Sequence, residues 1–309
     1  SMIVAVGDIS PETMIPMLRA HFDSMQPLSS PPADPDLGKV TAEPLSIGYH
    51  HEAQASAVDV SLETVFPYKR HPDSRSLRIH RLQRRVAHGI ISRRLEILAQ
   101  EKNAPFSEGR SNAFDWLNFV TMASVDITCS PENWEKALTV AENALRRALE
   151  YGFTQSEVDY QVNRLLTRYR REAKGAATRR SRDIASGIVR AISADDVYTT
   201  PRADLELAEA AFRDLKPAAV LEVLRETWSA SGSRHVFVSG NAAIDEPENT
   251  ISTAYEESRK QKVTPPQTAQ NKTFAYRQFG KPGKVTSRSA VKDLGITKLT
   301  FDNNVRVNI

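Results

Sequence analysis

Cysteine is almost missing. Cys129 is the one thiol in 309 residues, which excludes an internal disulfide and any zinc site built on a cysteine cluster. So cysteine-poor a chain suits the cytosol and the periplasm alike. No run of about 18 apolar residues occurs, so no membrane-spanning helix is expected. An excess of charge is missing too: 41 Lys and Arg against 38 Asp and Glu leave +3, too weak a balance to require a nucleic acid or an anionic membrane as partner. Ser1-Met2 carries neither the charged run nor the apolar core of a signal peptide. With 40% hydrophobic and 26% charged residues, the chain has the composition of a globular protein long enough for one large or two ordinary domains.

Local spacing gives the organisation. Ile3-Val-Ala-Val reads as a buried strand, closed by Gly7-Asp8 and followed by a helix capped at Ser10 with Pro11 in its first turn. Five prolines between residues 26 and 44 make an extended strap. Beyond it, Leu45 to His51 and Ala57 to Phe66 read as two strands joined in a hairpin. From Asp73 to Lys102 the period becomes helical, with Ile79, Leu82, Val86 and Ile90 on one stripe. Strands follow at 106–116 and 118–128, the second alternating at Phe119, Thr121, Ala123, Val125 and Ile127. Ser130-Pro-Glu then starts a helix that stops at Gly152, and the capping box Thr154-Gln-Ser-Glu157 opens a helical stretch to Ala194 with a break at Gly175. Shorter helices fit 202–214 and 217–229, and the chain ends in a polar-turn hairpin at 298–309. Strands in pairs and helices in a run predict an α+β fold, a mostly antiparallel sheet covered on one face by helices.

One pattern occurs twice. Arg234-His-Val-Phe-Val-Ser-Gly240-Asn241 repeats the form of Met2-Ile-Val-Ala-Val-Gly7-Asp8, an apolar strand closed by Gly and Asp or Asn ahead of a Pro-Glu helix start. The order of elements around this repeat resembles the pitrilysin/insulinase-type zinc metallopeptidases, whose homologous α/β domains come in pairs. Carrying the likeness are Ile3 to Glu12, Gly89 to Gly109, Ala123-Ser-Val-Asp-Ile-Thr and Leu299-Thr-Phe-Asp-Asn-Asn-Val-Arg-Val. The resemblance implies that 1–25 is the end of a preceding catalytic-type domain, 26–44 a linker and 45–245 a non-catalytic second domain. It further implies a helix and linker at 246–290 and the first hairpin of a following domain at 291–309. The sequence reads as the middle piece of a larger protein.

The chain departs from that family where the chemistry sits. Its signature H-x-x-E-H places two zinc-binding histidines one helical turn apart around a general base. None of His21, His50, His51, His71, His80, His88 and His235 begins that motif. Neighbouring His50 and His51 point to opposite faces of a strand, and His80 and His88 lie about 12 Å apart along a helix. No metal and no catalytic residue are therefore expected in this chain, whereas the resemblance implies zinc in the full-length protein, an upstream catalytic domain, homologous downstream domains and a peptide substrate. It also points to the periplasm, although no residue of the chain does. The matching substrate-docking positions are Ser107, Glu108 and Gly109, where an edge strand offers main-chain groups to a peptide and Glu108 attracts its α-ammonium group. Gly109 reads equally well as a β-bulge. Between Gln161 and Arg190 stand nine cationic side chains against two acidic ones, a stretch that reads as a solvated or neighbour-facing surface rather than a nucleic-acid site. Three functions fit: a segment of a zinc endopeptidase that supports the catalytic domain and walls a substrate chamber, a scaffold segment of a non-peptidase homologue, and a basic binding module.

Overall fold

The computed structural model describes residues 2–26, 35–41, 43–229, 233–266 and 280–309. They fall into two units, divided at Pro266. In the first, helix α1 (Pro11–Phe22) precedes strands β1 (Ser46–His51) and β2 (Val58–Pro67), helix α2 (Arg75–Ala99) and strands β3 (Glu108–Trp116) and β4 (Val120–Cys129). Helices α3 (Trp134–Tyr151), α4 (Gln155–Lys174), α5 (Ser181–Ser193), α6 (Pro201–Phe212) and α7 (Pro217–Ser229) follow, then strand β5 (His235–Gly240) and helix α8 (Pro247–Lys260). The second holds β6 (Val285–Val291), β7 (Ile296–Phe301) and β8 (Arg306–Asn308). Residues 27–34 and 42 of the proline strap lie outside the described residues.

Alternation fixes which face of the five-stranded sheet is dry. On β2, Val58, Val60, Leu62 and Thr64 are buried while Asp59, Ser61 and Glu63 stay at least partly exposed, and β4 alternates likewise at Ala123, Val125, Ile127 and Cys129. Helix α2 brings Val86, Ile90 and Ile91 to the dry side, and α3 brings Leu138, Ala141 and Leu145. Each fully buried Leu, Ile or Val contributes about 1.5–3 kcal/mol of transfer free energy. The opposite face holds a polar network centred on Asp126, which accepts from Ser61 and Ser124, both at 2.8 Å.

The strand order is β1-β5-β2-β4-β3. Every pair is antiparallel except β1 with β5, so the expected α+β architecture holds. The expected β1–β2 hairpin does not. Strand β5 lies between them, parallel to β1 from Ser46↔His235 to His51↔Gly240 and antiparallel to β2. Its Val236 and Val238 are fully buried, as an interior strand requires, whereas β1 is only half-buried and takes the edge. Gly240 ends β5 at φ +129, and a Cβ there would stand 2.2 Å from the Ala57 carbonyl oxygen. Only glycine fits this close approach of the β5 end to the Ala57 main chain.

Two further expectations change. Ile3 to Val6 form no strand, because a strand is defined by its ladder and no partner lies beside them among the described residues. Within the stretch read as helix and linker, Val285–Val291 pairs with β7 and makes the terminal hairpin a three-stranded sheet. Its sequence, Val-Thr-Ser-Arg-Ser-Ala-Val, has too few apolar residues to show alternation. The helical breaks fall where expected: Gly152 at φ +69 ends α3, the reciprocal Thr154–Glu157 capping box opens α4, and α4 stops at Gly175.

Candidate functional site

Strand β3 pairs with β4 alone and forms one edge of the large sheet. Ser107 stands just before it, bound to the Thr128 carbonyl through both its N–H (2.9 Å) and its hydroxyl (3.1 Å). Glu108 is exposed at the first position of the strand. Gly109 is buried, and a Cβ there would come within 2.9 Å of both Leu95 of α2 and Ile127 of β4. That glycine therefore serves the seating of α2 on the sheet. The β3–β4 register runs without a shift from Glu108 to Trp116, so the β-bulge reading of Gly109 is wrong.

The next residue on the same face shows how α2 meets the edge. Ser111 gives its N–H to the Ser92 hydroxyl at 2.9 Å, and its carbonyl lies within reach of the same hydroxyl at 3.1 Å. Both main-chain groups of Ser111 thus point away from β4, and by strict alternation so do those of Gly109, Ala113 and Asp115. The Ser111 hydroxyl donates to the Ser124 carbonyl at 2.8 Å and is left to accept from His88 Nδ1 at 2.7 Å. His88 is consequently the Nδ1–H tautomer, with a bare, unpartnered Nε2. Burial, assisted by the Arg84 charge, lowers its pKa to about 3, so it stays neutral.

Beyond Ser111 the edge opens onto a groove of about 1200 Å3. Residues Arg110 to Asp115 of β3 form one wall, Arg84, Arg85 and His88 of α2 lie along the floor, and Tyr160, Arg164, Arg168 and Arg171 of α4 form the other wall. Gly89 lets the Gln161 side chain lie directly over α2: a Cβ at Gly89 would sit 2.0 Å from the Gln161 amide nitrogen. The Gln161 carbonyl oxygen is buried with no partner. These positions on α4 follow from its period. Val158 and Leu165 face the core, which turns the 164–168–171 stripe toward the groove.

Charge in the groove is unbalanced. Asp115 is held by Arg81 and Arg84, each at 3.1 Å, and by the Thr121 hydroxyl at 2.9 Å. Burial pushes its pKa up, but the hydrogen bond and charge of Arg84, with Thr121 and Arg81, outweigh this and hold it below the ordinary carboxylate range. Asp196 is occupied by Arg81 at 2.9 Å, and Glu96 by Arg93 at 3.1 Å. Arg85 donates to the Tyr169 hydroxyl, and Arg168 lies over the Tyr169 ring at 5.2 Å with Glu172 at 3.7 Å. Among the described residues, Arg164 and Arg171 have no carboxylate partner.

The histidines do not converge. His50 and His51 are adjacent on β1, His80 pairs with Glu226 at 2.9 Å, and His88 is enclosed on Ser111. Among the described residues no three His, Cys, Asp or Glu side chains could hold one metal ion, so the residues present do not fit a zinc centre. Nor is any described helix long and apolar enough to cross a membrane. Sequence reasoning missed the groove itself. Its one legible signal was the i, i+4, i+7 spacing of Arg164, Arg168 and Arg171.

Comparison with known proteins places this geometry in a family. The model of the peptidase M16 inactive domain matches residues 1–165. Among solved structures, the periplasmic protease PqqL from Escherichia coli is similar with a TM-score of 0.72 and 14% identity, over 98% of this chain and 34% of that one. An insulinase family protease from Yersinia pestis gives 0.67 and 14%, over 82% and 54%. A peptidase M16 inactive domain from Pseudomonas fluorescens gives 0.51 and 15%, over 71% and 48%. The chain thus spans about a third of the first and about half of the other two. No curated protein sequence matches it. With more than half of its length under the family model and the same α+β fold in these peptidases, the chain belongs to the peptidase M16 inactive-domain family.

Proposed function

We propose that this chain is the non-catalytic, substrate-holding part of a larger zinc-dependent endopeptidase, supporting a catalytic domain elsewhere in that protein and walling its substrate chamber. Peptide-bond hydrolysis belongs to the whole protein, since the residues here do not fit zinc. The observation that carries the reading is the edge of β3 at Ala113 to Asp115, where the Ala113 carbonyl and the Asp115 main chain face a groove wide enough for an extended peptide while the Ala113 N–H is held by the Asn112 side chain at 2.9 Å. At Gly109 and Ser111 the edge is closed by Leu95 and Ser92, so main-chain docking moves along β3 from the Ser107–Glu108–Gly109 positions. A peptide lying along β3 has one end near Glu108, about 7 Å from Arg110 along the strand, and this carboxylate remains the contact for an α-ammonium group.

The test is amide hydrogen exchange on the chain with and without an unstructured peptide. Exchange at Asp115 is expected to slow several-fold on saturation, while exchange on β1, the other edge of the sheet, stays unchanged. Binding without slowing at this amide would remove the docking role and favour the scaffold reading. The same preparation is expected to cleave no peptide and retain no zinc. One equivalent of tightly held zinc, lost on changing His50 or His51, would overturn that expectation.

A further inference from the structure

The groove beside β3 has a chemical preference, and the argument for it rests on the peptide-docking reading above. We infer that this groove selects extended peptides bearing acidic side chains at alternate positions.

Three observations carry this. The first is the surplus of cations. Asp115, Asp196 and Glu96 are each engaged by an arginine, which leaves Arg164 and Arg171 without a carboxylate and Arg85 on a neutral phenol. The walls are low-dielectric protein, which strengthens the field of these exposed guanidinium groups inside the cleft. The second is spacing. From Arg110 to Asp115 an extended strand runs about 17 Å, and α4 rises by the same length from Tyr160 to Arg171. Each wall thus contributes about the length of a six-residue peptide to the groove. Arg164 and Arg168 are about 6 Å apart along α4, and side chains on one face of a strand repeat about every 6.7 Å. Carboxylates at i and i+2 meet successive arginines.

The third observation separates a peptide from other polyanions. By the alternation of β3, the Ala113 carbonyl and the Asp115 N–H and carbonyl face the groove. The Ala113 N–H is already taken by the Asn112 side-chain oxygen at 2.9 Å, which leaves those three groups for an incoming strand. These atoms require N–H groups and carbonyls, which a peptide backbone supplies, whereas a phosphodiester backbone supplies acceptors only.

The experiment uses the 309-residue chain and three fluorescein-labelled peptides in which threonine alternates with Glu, Gln or Lys, followed by fluorescence anisotropy at low and high salt. The Glu peptide is expected to bind about tenfold more tightly than the Gln peptide at low salt, with the difference shrinking as salt rises. The Lys peptide should bind weakest. Arg164→Gln combined with Arg168→Gln, both at exposed positions, should remove most of that advantage and leave the Gln peptide unaffected, while Arg202→Gln on α6 changes nothing. Equal affinity for the Glu and Gln peptides overturns the acidic preference and leaves docking standing. Failure of all three to bind overturns docking itself. An oligothymidylate of matched charge binding as tightly as the Glu peptide overturns the peptide selectivity and makes the groove a general polyanion site.

Discussion

The two sheets of this chain obey the same ladder rules and differ in what covers them. In the five-stranded sheet, Val60 and Leu62 of β2 and Val125 and Ile127 of β4 are at most 1% exposed, sealed by α2 and α3. In the three-stranded sheet no described residue is buried; Leu299 and Phe301 are partly exposed, and Val285 is 49% exposed. Its own unit contributes no α-helix among the described residues. Hydrogen bonds set the topology of both, but dry apolar surface stabilises only the first, because net main-chain hydrogen-bond energy in water is small.

That contrast can be broken most directly at glycine. Gly240→Ala should destabilise the first unit by more than about 3 kcal/mol, since the strained φ and the clash with Ala57 O act together, as measured by urea unfolding. Gly7→Ala, in the matching sequence pattern, has open space around it and should change stability by less than about 0.5 kcal/mol. A mild Gly240→Ala would mean that the end of β5 does not lie against the Ala57 main chain as described. Next in size is Leu62→Ala, expected to cost about 2–5 kcal/mol, against less than about 1 kcal/mol for Leu299→Ala. Equal losses would show that cover does not distinguish the sheets.

Acid should act on the first sheet through His88. Its folded pKa lies near 3 and its unfolded value near 6.5, so between those limits the unfolded chain binds a proton that the folded chain refuses. Stability should therefore fall as pH drops through this window, by on the order of 1.4 kcal/mol per unit at most. His88→Asn, which keeps a donor toward Ser111, should flatten the slope; an unchanged slope would assign it to other groups. The smallest effect is kinetic. Cys129 is buried on β4, and burial, with the charges of Asp59 and Glu132, raises its pKa to about 11. Thiol reagents should label it only at the rate at which the sheet opens. Fast labelling of the native chain would contradict the seal.

Elements with a local cause were legible in the sequence. The Phe119–Ile127 alternation, the Ile79–Ile90 stripe, the Thr154 box and the Gly152 stop each state their structure within a few residues. The position of β5 has no such signature: β1 and β2 are neighbours in sequence and read as a hairpin, and only burial of Val236 and Val238 favours the insertion. Strand β6 escaped notice because its ladder is made by main chain while its side chains are mostly polar. The groove was half legible. Arg164, Arg168 and Arg171 announce a basic stripe on α4, but that this stripe faces the open edge of β3 depends on how α4 packs beside α2, a tertiary fact. Ser107, Glu108 and Gly109 pointed to the right strand, and the burial of Gly109 under Leu95 could not be read from a tripeptide.

The Ser92 hydroxyl on the Ser111 main chain has a consequence for self-association. An unsatisfied strand edge is a template on which a second copy can polymerise, and charged or covered edges are how folded chains resist that. Here one hydroxyl takes the Ser111 N–H in the middle of β3 and stands over its carbonyl, sharing its own hydrogen with the His88 carbonyl, and so interrupts the row that an incoming strand would need. The Asn112 side chain takes the next outward N–H, that of Ala113, so the groups left from the Ala113 carbonyl to Asp115 make too short a row for sheet growth between copies.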